Sequence, residues 1–132
     1  MKASSLFGVV ILGACLLSGA SASAHHSFSA EYDRSKPVTV TGTVSKVAWV
    51  NPHAHIFIDV KDADKTVTWD FELVPPSMLM RRGWTRDSLK IGDKVTVTGF
   101  MAKDTPAAGN AGNVTLPDGR KVFAGSAEDQ AK

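Results

Sequence analysis

The chain has 132 residues, 15 Lys and Arg against 13 Asp and Glu, a net charge of +2 and a single cysteine. That length fits one domain. The near-neutral charge gives no basic footprint for nucleic acid, and one cysteine excludes both a disulfide framework and a thiolate metal cage.

The first residues follow the three-part pattern of an export signal. Lys2 is a short positive region, Leu6 to Leu17 is apolar, and Ala22-Ser23-Ala24 suits a signal peptidase. The apolar run falls short of the ~20 residues that span a bilayer, and no integral membrane helix is expected elsewhere. Residues 1–24 therefore read as a signal peptide, and the protein as periplasmic or secreted. Leu12-Gly13-Ala14-Cys15 offers the alternative of a lipoprotein anchored through Cys15.

Cleavage after Ala24 removes Lys2 and Cys15 and leaves a net charge of +1 (15 basic residues less one, against 13 acidic). The new terminus is His25-His26-Ser27. A free α-amine deprotonates readily when a metal competes for it, so His25 can offer its amine and a ring nitrogen to one ion. Such a nitrogen set favours copper, with zinc the weaker expectation. Ser27 stands where the copper–nickel terminal motif needs histidine. The competing reading of His25 and His26 is a solvated, frayed end.

Residues 25–36 read as a polar lead-in carrying the aromatics Phe28 and Tyr32. Pro37 opens a first strand in which Val38, Val40 and Val44 alternate with threonines. Gly42 suggests a bend there. Val47 and Trp49 have the opposite parity, which one bulge near Lys46 would explain. After Asn51-Pro52 a second strand runs from His53 to Val60. It places His53, His55, Phe57 and Asp59 on one face and Ala54, Ile56, Ile58 and Val60 on the other. The turn 61–65 leads to a third strand, Thr66 to Leu73, with Val67, Trp69, Phe71 and Leu73 inward. Pairing Val60 with Val67 in this hairpin sets His55 opposite Glu72 and Phe57 opposite Asp70.

Pro75-Pro76 ends the strand. Pro76 to Arg82 reads as one or two helical turns closed by Gly83, with Met78 and Leu79 inward and Arg81 and Arg82 at a solvated end. Trp84 reads as a core plug, and Thr85 caps another short helical turn. Val95 and Val97 mark a fourth strand, and 101–112 reads as a loop rich in Gly, Ala and Pro. Residues 113–116 and 121–124 flank the turn Pro117-Asp118-Gly119-Arg120 as a closing hairpin, and 126–132 as a disordered tail. Three strands, a short helix, a fourth strand and a hairpin give a mostly all-β domain over 37–125. The order is that of a small OB-like Greek-key β-barrel with its helix between strands 3 and 4. A generic small barrel or a split sandwich is the fallback.

The start His25-His26-Ser27-Phe28, the stretch Trp49 to His55 with its Asn-Pro-His-Ala-His core, Arg82 to Leu89 and Gly92 to Gly99 together resemble an uncharacterised family of small exported bacterial proteins, a domain of unknown function. The resemblance spans about residues 25–125. It implies an exported β-rich domain and supplies no activity. Ile91 departs from the proline expected before Gly92-Asp93, which touches only a turn.

Two functional readings stand side by side. The first is a periplasmic metal-binding protein, for copper above zinc, with ligands from His25, His26, His53, His55 and Glu72. The second is a metal-free OB-type module in which Trp49, Phe57 and Asp70 join the strand histidines in a groove for an envelope ligand or partner protein. An enzyme is the weakest reading. Glu72 beside His55 could form an acid–base pair, but no nucleophile motif accompanies it.

Overall fold

The computed structural model describes residues 28–125. The signal, Cys15, the His25-His26 pair and the tail 126–132 lie outside the described residues.

A single turn of helix, α1 (Phe28–Glu31), leads into a long first strand, β1 (Tyr32–Ala48). The hairpin β2 (His55–Asp62) and β3 (Lys65–Glu72) follows. Then come α2 (Pro76–Arg81), β4 (Lys94–Ala102), β5 (Ala108–Thr115) and β6 (Lys121–Phe123). The sheet order is β3-β2-β1-β4-β5-β6, and β5 also pairs with β3. That last pairing, parallel over Asp70 to Glu72 against Ala108 to Asn110, turns five strands into a ring. The other pairings are antiparallel.

The core fills the inside of the ring. Ile56, Ile58, Phe71, Val44, Val95, Val97 and Val114 are all at most 1% exposed. Their parity is the period-2 alternation of half-buried strands. Leu79 from α2 and Trp84 just beyond it join the same cluster, with Met78 packed partly against it. Burying a side chain of this size contributes about 1.5–3 kcal/mol, so the alternation of β2 and β3 alone decides which face turns inward.

The hairpin has the expected register: Val60 pairs with Val67, His55 with Glu72 and Phe57 with Asp70. The β1–β2 pairing shifts between Val44 and Lys46, the bulge that the change in parity requires. Several local expectations are corrected, among them the start of the second strand, which is His55 and leaves His53 just outside it. β1 begins at Tyr32, so the second half of the lead-in is strand, joined to β4 through an irregularity between Asp33 and Pro37. Gly42 sits in regular pairing with Val95. Its role is close approach, since a Cβ there would stand 2.5 Å from the Asp59 carbonyl oxygen. Thr85 to Ser88 is a turn in which Thr85 Oγ1 accepts from the Asp87 amide at 3.2 Å, with no helix formed. Most of the supposed loop 101–112 is strand: Met101 and Ala102 end β4, and Ala108 to Gly112 belong to β5. Arg82, too, is more than a solvated helix end. Its guanidinium lies 4.5 Å from the centre of the Phe123 ring and donates to the Gly125 carbonyl.

Candidate functional site

The outer face of the hairpin gathers the strand histidines with two carboxylates. His55 Nδ1 lies 2.8 Å from Asp70 Oδ1, a diagonal contact across the register. A carboxylate can only accept here, so the proton sits on Nδ1, and in the neutral ring Nε2 is the basic nitrogen. His53, just ahead of β2, has Nδ1 3.1 Å from Glu72 Oε1. Both imidazoles thus turn the same nitrogen to a β3 carboxylate. The hydrogen bond that His55 donates to Asp70, resisted by partial burial and reinforced by the charges of Asp70 and Glu72, raises the His55 pKa above its ordinary 6.5.

Beside this face lies a cleft of about 280 Å³. Its walls include Tyr32, His55, Asp70 and Glu72, with Glu31 and Asp104 toward the rim. Four carboxylates and one imidazole make it electronegative. Tyr32 is the chain's one tyrosine and is 8% exposed. Its phenol is held far toward the protonated form by burial first, then by the Glu72 charge and a side-chain hydrogen bond to Glu72.

The wall formed by residues 30–32 is fixed from two sides. Phe28 packs against Tyr32 with ring centres 5.1 Å apart and edge-on against Phe100 at 5.9 Å. The Lys103 amide donates to the Glu31 carbonyl at 2.9 Å, and its ammonium to the Ser29 carbonyl.

The expected site residues divide. His53, His55, Asp70 and Glu72 come together. Phe57 stacks beside His55 with ring centres 6.3 Å apart and lies under the Lys46 ammonium, 5.1 Å from the ring centre. Trp49 packs partly against the core, with the Arg86 guanidinium 6.0 Å from its ring centre, and does not line the cleft. His25 and His26 lie outside the described residues. Among the described residues, no group of three or more His, Cys, Asp or Glu side chains converges to hold a metal ion. No helix among them is long and apolar enough to cross a membrane. Sequence reasoning took Tyr32 only as part of an aromatic pair and passed over Glu31 and Asp104. The signal for Tyr32 was its position: the lone phenol, a few residues after a histidine pair.

The chain belongs to a family of unknown function (DUF6152), whose profile matches residues 14–111. That span takes in both histidine pairs, Tyr32, Asp70 and Glu72. No curated protein matches the chain.

Proposed function

We propose that this family member is an exported, periplasmic metal-binding protein, suited to copper above zinc, built on an OB-like Greek-key barrel. The five-strand ring, its parallel β3–β5 closure and the placing of α2 between β3 and β4 support the barrel. The observation that carries the metal reading is the pair of carboxylate–imidazole contacts, His55 with Asp70 at 2.8 Å and His53 with Glu72 at 3.1 Å. Metal-binding histidines characteristically give their second ring nitrogen to a carboxylate, which fixes the tautomer and raises ligand basicity. In this reading the Nε2 atoms of His53 and His55 are ligands, and Asp70 and Glu72 orient them.

Two imidazoles need further donors. His25, with its amine after cleavage behind Ala24, and His26 supply them. Ala30 lines the cleft, and His26 lies four positions before it in the chain. At about 3.3–3.6 Å per residue the tether cannot exceed about 15 Å. Nitrogen donors of this kind select copper.

The test is Cu(II) affinity of the chain beginning at His25, with and without the strand histidines. His53→Ala and His55→Ala are each expected to weaken binding at least about tenfold. Unchanged affinity in both would contradict a shared site. The second reading, a metal-free groove for an envelope ligand, draws on the 280 Å³ cleft itself. It predicts weak, non-stoichiometric metal binding.

A further inference from the structure

The connection from α2 to β4 is pinned to the core by three side chains. Leu79, Trp84 and Leu89 are at most 4% exposed and belong to the one hydrophobic cluster. Between these anchors the chain turns tightly. The Gly83 amide donates to the Met80 carbonyl at 3.0 Å, that of Ser88 to Thr85 at 3.1 Å and that of Asp93 to Lys90 at 3.1 Å. With the anchors inward, the residues between them stand outward, and 80–83, 85–87 and 90–92 are all exposed.

Charge sets this outward face apart. Residues 80–94 carry Arg81, Arg82, Arg86, Lys90 and Lys94 against Asp87 and Asp93, a net +3, while the rest of 28–125 has eight cations against nine carboxylates. The net positive charge of the described domain therefore sits on this one connection. The Phe123 and Trp49 rings brace Arg82 and Arg86, with guanidinium carbons 4.5 and 6.0 Å from the ring centres, and leave their charge in place. Among the described residues no ion pair engages Arg81, Lys90 or Lys94.

Exposed apolar side chains collect at the same place. Among the described residues the large ones are Val50, Met80 and Ile91, at 51%, 56% and 76%. Met80 and Ile91 lie within the connection, and Val50 follows Trp49, whose ring faces Arg86. Val44 of β1 gives its amide to the Asp93 carbonyl and accepts from the Gly92 amide, each at 2.8 Å, which docks the end of the connection on β1. Single apolar side chains on short turns among unpaired cations suit a bilayer interface: cations meet anionic headgroups, and apolar ends enter the acyl boundary. The core of a protein interface is instead depleted of charged residues, lysine among them.

We propose that the α2–β4 connection, with Val50 beside it, is a docking face for an anionic lipid bilayer. Met80 and Ile91 insert between headgroups that Arg81, Arg86, Lys90 and Lys94 neutralise. No residue of this face lines the cleft, so the proposal stands apart from the metal reading.

The experiment is co-sedimentation of the chain beginning at His25 with vesicles of phosphatidylcholine alone and of phosphatidylcholine mixed with phosphatidylglycerol. Three double variants accompany the wild type, each checked for its fold by circular dichroism: Arg81→Gln with Lys90→Gln, Met80→Ser with Ile91→Ser, and Lys61→Gln with Lys65→Gln as a control of equal charge on the β2–β3 turn. All six positions are exposed. The wild type is expected to sediment with the anionic vesicles only and to be released as salt rises from about 0.05 M to about 0.5 M. Loss of the two cations of the face should weaken binding at least about tenfold, loss of the two apolar side chains should weaken it too, and the control should bind as the wild type does. Unchanged binding in either variant of the face, an equal fall in the control, or equal binding to both vesicles would overturn the proposal. A wild type that ignores both vesicles yet adheres to immobilised poly-glutamate would overturn it in favour of an acidic protein partner.

Discussion

At the scale of single residues, the histidine face is built from imidazole–carboxylate contacts between β3 and residues 53–55, of which His55–Asp70 is a hydrogen bond between neighbouring strands. The His55–Asp70 contact holds more strongly when His55 is charged, which is why its pKa lies above 6.5. Its stability contribution is therefore fully present below the unfolded value and is lost as pH rises through the folded one. Asp70→Asn should lower the His55 pKa toward its ordinary value, read by NMR titration. It should also destabilise the protein more at about pH 5.5 than at about pH 8.5, read by denaturant unfolding at the two pH values. A larger loss at the higher pH would contradict this assignment. The register that sets His55 opposite Glu72 and Phe57 opposite Asp70 was legible in the sequence, because the period-2 alternation of both strands and the turn between them leave one register that buries both apolar faces; the diagonal choice of partners, His55 with Asp70 and His53 with Glu72, was not. Nor was the place of Tyr32 in the wall of the cleft. It joins the site only through the closure of the ring, a contact between distant stretches that no local pattern encodes.

At the scale of elements, β2 and β5 are opposite cases. β2 announces itself through branched apolar residues at alternate positions. Ile58, fully buried between β1 and β3, should cost about 2–5 kcal/mol when cut to Ala, measured as a shift in the denaturant midpoint. β5 begins Ala-Gly-Asn-Ala-Gly, a composition that propensity assigns to a loop. Its residues are small because the strand is squeezed from both sides. It pairs with β4 along one edge and β3 along the other, and a Cβ on the facing Gly99 would lie 1.7 Å from the Asn110 carbonyl oxygen. No such approach survives a methyl group, so Gly99→Ala should force β4 and β5 apart. The expected outcome is loss of the folded β-sheet signal in circular dichroism at ambient temperature. A variant as stable as the wild type would show that the β4–β5 pairing is not as drawn. Side-chain periodicity made β1 to β4 readable, and backbone proximity, which leaves only an absence of side chain in the sequence, hid β5.

At the scale of the molecule, one hydrophobic cluster draws on β1 to β5, α2 and the connections between them. A single core with no internal boundary should unfold as one cooperative unit. Tryptophan fluorescence, with Trp69 on β3 and Trp84 after α2, and far-ultraviolet circular dichroism should give coincident transitions. An earlier fluorescence transition would mean that the α2–Trp84 region melts apart from the sheet. The same closed ring brings the start of β1 beside the β2–β3 hairpin, so that Ala30, Glu31 and Tyr32 line one cleft with His55. The most direct test of the whole account is a Cu(II) titration of protein beginning at His25, alongside a version extended by one methionine. The account predicts tight one-to-one binding by the authentic terminus and a marked loss on extension, because the amine is then no longer adjacent to the His25 ring. Equal, weak and non-stoichiometric binding by both forms would contradict it.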